Sequence, residues 1–218
     1  MSRTVASKWK KTKALLESSR IAKVIPETRK FSSEALKEML AKYGSVVAKP
    51  CSSAGGHGIV KITRKDYGYK MRYKGKKKKT GKFSKLLRAL QRLQRKREYI
   101  LQRTIELASI DGRPVDYRVK LVQKGDKWKV TAVVAKLARK GYFVTNICQG
   151  GDLLKSSDAI RRSLNINPQR KKRKMVKLSR KSAKILKKKF PGITQLGFDY
   201  GLDTSGEIWM FEVNTSPQ

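Results

Sequence analysis

The sequence predicts an α+β fold built on antiparallel sheets. Three observations point there. In the first half, apolar residues at helical spacing alternate with short β-branched runs. The second half reads mostly as strands. Tight turn signals, Gly125-Asp126 and Thr204-Ser205-Gly206, join strands that are close in the chain and therefore antiparallel.

The elements follow in order. Residues 8–19 read as a helix with Trp9, Leu15 and Leu16 as its apolar members, and Pro26-Glu27-Thr28 as a turn after it. Ser32 is a good N-cap for a second helix, with Glu34 and Glu38 towards the positive end of its dipole. Leu36, Met39 and Leu40 form its inner face, and Gly44 stops it. Ser45–Pro50 and Ile59–Ile62 are strands around a loop of small residues, and Tyr67–Tyr73 is another. Lys74–Lys79 is a charged hairpin tip or linker. From Lys82 to Arg97, Phe83, Leu86, Leu87, Leu90 and Leu93 mark a helix, leaving Lys85, Arg88, Arg92, Arg95 and Lys96 outward. Tyr99–Gln102, Asp116–Lys124, Trp128–Leu137 and Tyr142–Ile147 read as strands. The basic stretch Arg170–Lys189 contains a helix with Ala183, Leu186 and Phe190 on one stripe. Gln195–Leu202 and Glu207–Val213 close the chain as a hairpin.

Composition narrows the function classes. The 218 residues suffice for one sizeable domain or two small lobes. Against 16 acidic residues stand 54 Lys and Arg, a formal charge of +38. Small soluble domains usually carry a net charge of about 2–8. Such an excess repels itself and attracts polyanions. Two cysteines, Cys51 and Cys148, cannot build a disulfide framework. No run of about 18 apolar residues appears, so no membrane partner is expected. No apolar stretch follows the basic N-terminus, and the simplest reading is a cytoplasmic protein.

Three constellations carry chemistry. Lys49 ends a strand, and a loop with Gly55, Gly56 and Gly58 follows. Glycines let backbone N–H groups approach phosphate oxygens, and the lysine adds a point charge. No Gly-Lys-Ser/Thr follows, so this is not a Walker loop. Taken alone, the stretch is equally an ordinary hairpin with a surface lysine. Next, Asp199 with Glu212 and Asn214 puts two carboxylates and an amide oxygen on adjacent strands, the hard donors that Mg²⁺ prefers. The alternative is a hairpin whose acids neutralise nearby lysines. Finally, Asp116 and Arg118 share one face of a strand, and an arginine held by a carboxylate is a fixed clamp for phosphate. The alternative is a weak surface ion pair.

In this order, the residues resemble the ATP-grasp superfamily, in particular its YheC/YheD-type family, described as endospore coat-associated. The resemblance is carried by Lys8-Trp9 with Ile25–Thr28, Val47–Ile62, Tyr99–Gln102, Asp111–Arg118, Asn146 with Gly150-Gly151, Gly197–Asp199 and Glu212–Pro217. The Asp116-x-Arg118 strand and the terminal Glu212-Val213-Asn214-x-Ser216-Pro217 also resemble ribosomal-protein glutamate ligases.

The resemblance implies an ATP-grasp fold: two α+β lobes with the nucleotide cleft between antiparallel sheets. Residues 1–30 would be an N-terminal helix and connector, 31–98 the small lobe with its glycine-rich lid and basic helix, and 99–218 the large lobe with the Mg²⁺ site. Lys49 would contact the ATP phosphates under a lid made by Gly55, Gly56 and Gly58. Gln102 to Ile105 would hold adenine, Glu106 the ribose, and Asn146 would join the nucleotide site. Arg118 and Lys136 would act at the reacting phosphate, and Asp199, Glu212 and Asn214 would hold Mg²⁺. Lys8 aligns as an additional phosphate lysine. Lys136 stands where the family strand carries arginine, which keeps the charge but loses the fork. The usual N-terminal substrate domain is expected to be absent or very small. Specificity then resides in a partner, or activity is lost.

The implied activity is an ATP-dependent carboxylate–amine ligase acting on an acidic or peptide substrate through an acyl-phosphate. The alternative is a non-catalytic spore-coat or polyanion-binding protein on the same scaffold. The basic runs predict salt-sensitive binding of nucleic acid or another polyanion.

Overall fold

The computed structural model describes residues 2–53, 55–95 and 97–217; Ala54, Lys96 and Gln218, named above or inside stretches named above, lie outside them. In chain order the elements are α1 (Lys8–Leu16), α2 (Ser19–Ala22), β1 (Thr28–Lys30), α3 (Ser33–Tyr43), β2 (Ser45–Pro50), β3 (Val60–Lys65), β4 (Gly68–Tyr73) and β5 (Lys76–Thr80). Then come α4 (Phe83–Gln94), β6 (Tyr99–Arg103), β7 (Ser109–Ile110), β8 (Arg113–Lys124) and β9 (Lys127–Leu137). A 3-10 turn at Ile147–Gln149 leads to β10 (Asp152–Lys155), α5 (Ser156–Leu164), α6 (Pro168–Lys189), β11 (Gln195–Leu202) and β12 (Ile208–Asn214). The protein is α+β with two antiparallel sheets, as expected.

The first sheet has the order β1-β6-β2-β3-β4-β5. Two helices cover one face of it. Ser32 caps α3 by accepting from the Ala35 N–H at 3.0 Å, and Gly44 ends it at φ +65°. Leu36, Met39 and Leu40 of α3, with Leu86 and Leu90 of α4, pack against Val46, Ala48, Val60, Ile62 and Leu101. Strand alternation then turns Val47, Lys49 and Gln102 to the opposite face.

The second sheet runs β10-β9-β8-β11-β12, with β7 paired to β8. Its core face carries Val115, Tyr117, Val119 and Leu121 of β8 and Phe198 and Tyr200 of β11. The long helix α6 packs on this face. Asn167 caps it, Pro168 opens it, and the Ser179 hydroxyl lies 2.8 Å from that of Tyr200. Ala14, Leu15, Ile21 and Ile25 join the same core, so the N-terminal segment packs with this sheet. Residues 99–103, which open the expected large lobe, form β6, between β1 and β2 of the first sheet.

The structure corrects several local expectations. Lys76–Thr80 is a strand and not a tip: four consecutive lysines line the exposed edge of the first sheet. Charge on an edge strand blocks edge-to-edge pairing, which explains a lysine run in a β-strand. Tyr142–Ile147 is irregular and ends in the 3-10 turn, while Asp152–Lys155 supplies the β10 edge instead. The N-terminal helix breaks after Leu16, which is exposed at 37%; the inner positions are Lys8, Lys11, Ala14 and Leu15. Lys85, Arg88, Arg92 and Arg95 of α4 and its cap do lie outward. Among the described residues, no helix is long and apolar enough to cross a membrane.

Candidate functional site

The cleft between the sheets gathers most of the residues singled out above. On the first-sheet side, Lys49 is buried and donates to Gln102 Oε1 at 2.6 Å. The Gln102 amide is fixed in turn, with Nε2 donating to Thr28 Oγ1 at 3.1 Å and to the Phe211 carbonyl at 3.4 Å. Among the described residues, no carboxylate ion-pairs with Lys49. Burial, only partly offset by the negative charge of Glu212, brings Lys49 down to about 8.

The Phe211 contact has a structural cause. Asp199 pairs with Glu212 and Tyr200 with Met210, so Phe211 is an extra residue in a β-bulge. The bulge releases its carbonyl to Gln102 and sets its ring 5.6 Å from Lys49 Nζ. No sequence signal announces this residue.

On the second-sheet side, Asp116, Arg118, Lys136 and Asp199 point away from the core and pair with one another. Arg118 donates Nε and Nη2 to the two Asp199 oxygens at 2.9 and 2.7 Å. Lys136 Nζ lies 3.1 Å from Asp116 Oδ1 and 3.2 Å from Asp199 Oδ1. The Thr145 hydroxyl donates to Asp116 Oδ2, and Asn214 Nδ2 to Asp199 Oδ2 at 3.3 Å. Burial opposes ionisation of Asp199, but the charges of Lys136 and Arg118 outweigh it and hold the carboxyl at about 2. For Asp116 burial prevails over Lys136 and pushes the carboxyl up.

The carboxylate that clamps Arg118 is therefore Asp199, not Asp116. Residues two apart on a strand are separated by about 6.6 Å, whereas cross-strand partners approach to about 5 Å. Asp199 is the cross-strand partner of Arg118, and Lys136 that of Asp116.

Glu212 faces Asp199 in register, and Asn214 lies two residues further along β12. Lys8 reaches Glu212 Oε1 at 3.2 Å and the Ser53 carbonyl at 2.6 Å, tying the start of α1 to both the metal-type carboxylate and the glycine loop. Lys11, beneath it, donates to the Val5 carbonyl at 2.6 Å, and burial lowers it to about 8. Helical spacing alone marked neither Lys8 nor Lys11 as buried. Among the described residues, no three His, Cys, Asp or Glu side chains cluster as a metal site.

The loop after β2 closes against the 3-10 turn of the other half. Gln149 Nε2 donates to the Gly55 carbonyl at 2.7 Å. At Gly56, with φ +72°, a Cβ would stand 2.3 Å from Asn146 Oδ1. Only glycine permits that approach. Gly58 accepts from the Tyr99 hydroxyl at 3.1 Å. Ile105 is half-buried and Glu106 exposed in the irregular segment after β6, and the charge of Glu106 reaches Lys61 on β3.

Solved structures share this architecture. The chain superposes on N5-carboxyaminoimidazole synthase of Aspergillus clavatus with ADP and 5-aminoimidazole ribonucleotide, at TM-score 0.59 and 14% identity, covering 99% of this chain and 46% of that one. A structure of carboxyaminoimidazole ribonucleotide synthase from the same organism, complexed with ATP, gives TM-score 0.63 at 13% identity, with the same coverage. D-alanyl-alanine synthetase A of Vibrio cholerae gives 0.57 at 15%, covering 97% and 55%. In sequence, the endospore coat-associated proteins YheD and YheC of Bacillus subtilis are 27% and 26% identical over 99% of this chain. The chain spans only 49% and 61% of their lengths. The family model described as YheC/D-like ATP-grasp matches residues 1–218, and the chain belongs to that family.

Proposed function

We propose that this chain binds Mg·ATP between its two sheets and activates a carboxylate, as an acyl-phosphate, for attack by an amine. The observation that carries this reading is Lys49: a buried ammonium, held by an amide and ion-paired with no carboxylate among the described residues, within the field of Glu212, Asp199 and Asp116. A buried cation without a counterion is costly, and an anionic ligand removes that cost. The fold relatives solved with ATP and ADP support the same reading.

The oxygen donors fit a magnesium ion in kind. Both Asp199 oxygens already accept from Arg118, so Glu212 and Asn214 are the more open donors, and these three residues would hold the ion. Bound there, magnesium would neutralise phosphate charge.

The protein's own groups do the positioning. Lys49 draws the phosphates, the backbone of Gly55, Gly56 and Gly58 covers them, and Asn146 seats that loop. Gln102, Ile105 and Glu106 line the side for adenine and ribose. Arg118 and Lys136 stabilise charge on the reacting phosphoryl group, sharing themselves between it and Asp199. The substrate is an acidic molecule or peptide, used in the cytoplasm.

Calorimetry tests the reading. The wild type should bind ATP only with Mg²⁺, and Glu212→Ala should lose that binding while its fold survives. Unchanged affinity would sink the metal assignment. Phosphate release provoked by a candidate acid or peptide then identifies the substrate.

A second reading, a non-catalytic polyanion-binding component of the spore coat, is favoured by the +38 charge and by the saturated Asp199 carboxylate. The names of the two Bacillus relatives support the coat association. ATP turnover separates the readings.

A further inference from the structure

Helix α6 carries a groove that the nucleotide cleft does not use. It encloses about 660 Å³ between the helix and Val133 of β9. Six cations line it: Lys172, Arg173, Lys177, Arg180, Lys181 and Lys184. Among the described residues none of the six makes an ion pair, although their helix neighbours Lys174 and Lys189 do, with Glu207 and Glu17. Arg20 of α2 adds its like charge beside Lys181.

Nothing in the fold requires this stripe. Like charges at i and i+4, as in Arg173, Lys177 and Lys181, oppose the helix that bears them. The four lysines of β5 protect a sheet edge; α6 has no such edge to protect. The groove also lies on the back of the second sheet, because α6 packs on the Tyr200 face and Asp199 points the other way.

We propose that this groove binds the phosphate backbone of a nucleic-acid duplex, independently of sequence and of Mg·ATP. The spacing supplies the argument. From Lys172 to Lys184 the helix rises roughly 18 Å, so the six cations stand at a mean of about 3.6 Å of rise apiece. One strand of a duplex carries one phosphate per about 3.4 Å of its axis. Among the described residues no aromatic lines the groove, so it lacks the stacking platform that single strands use. The apolar face of α6 (Met175, Leu178, Ala183, Leu186) is buried in the core and cannot enter a bilayer. This inference rests on no part of the nucleotide reading.

The test is fluorescence anisotropy with a labelled duplex of about 20 base pairs, between about 50 and 200 mM salt and without nucleotide. The wild type should bind with micromolar affinity at the low end. Lys177→Glu with Arg180→Glu and Lys184→Glu should weaken binding by at least about thirtyfold, and removing three contacts should flatten the logarithmic salt slope by about 2.7. The same charge change at Lys76, Lys78 and Lys79 should alter affinity less than about threefold. If the glutamate variant loses its circular dichroism, glutamine at the same three positions gives the same flattening. Equal losses in the groove and edge variants, salt-insensitive binding, or tighter binding of polyglutamate or of phosphatidylserine vesicles than of the duplex would overturn the proposal.

Discussion

The two walls of the cleft handle buried charge in opposite ways. The second-sheet wall is balanced: Asp116 and Asp199 stand against Arg118 and Lys136, and each charge has a partner within 3.2 Å. The first-sheet wall is not. Lys49 is as deeply buried but rests on the neutral Gln102 amide. The balanced wall is set by the protein alone, whereas the unbalanced one is completed by an anion from outside. The place where a fold tolerates an uncompensated cation is where its ligand is expected.

Breaking the balanced side should have the largest effect. Asp199→Ala strands Arg118 in a buried site and leaves Lys136 with Asp116 alone, and losing one partner of such a network costs about 3–5 kcal/mol. Urea unfolding should show that loss. A cost under about 1 kcal/mol would mean that water already reaches the quartet.

Lys49→Met sharpens the other half. It should weaken ATP binding by roughly fiftyfold, the value of one charge-assisted hydrogen bond. Its stability signature runs through pH. The folded Lys49 lies at about 8, below the ordinary lysine value of 10.5. Below pH 8 both states hold the proton and the desolvation cost is fully present. Between about 8 and 10.5 the unfolded chain binds more protons, so stability rises with pH. The rise amounts to something on the order of 3 kcal/mol. Lys11, also lowered to about 8, contributes in the same direction. Lys49→Met should therefore reduce the slope, and an unchanged slope would show that the lysine is hydrated. Asp199, also lowered on folding, gives a slope of the same sign in a lower window: its stabilisation is complete above about pH 4 and is lost as pH falls towards 2.

The smallest effect belongs to the seam between the halves. Gly56→Ala sets a methyl against the Asn146 amide at a backbone angle that suits glycine. The cost, about 1–2 kcal/mol, is local. It should appear as faster proteolysis of the 51–58 loop with little change in melting temperature; a loop as resistant as wild type would show that the contact is not what holds it closed.

Much of this was legible from the chain alone. Ser32 and Gly44 delimit α3 because capping is a local hydrogen-bonding requirement. Leu36, Met39 and Leu40 face inward because helical periodicity is local too. Lys49, Asp199 and Glu212 were readable as residue types placed on strands beside turns. The expected strand at Tyr142–Ile147 failed for the converse reason. Its aromatic and β-branched residues suit a strand, but β10 occupies the edge of β9. The lysines of β5 oppose strand formation by composition, yet pairing with β4 prevails.

The sequence by itself determined the α+β class, several of its helices and strands, the net charge and the chemical kinds of the cleft residues, because each depends on composition or on spacing within one element. Tertiary structure decided who pairs with whom. Arg118 meets Asp199 instead of Asp116, Phe211 turns its carbonyl to Gln102, Lys8 reaches Glu212, and six of α6's cations line a groove without acidic partners among the described residues. Each of these depends on strand register, a bulge or the seating of a helix on a sheet. Those features are fixed by packing between residues far apart in the chain, where no local pattern records them.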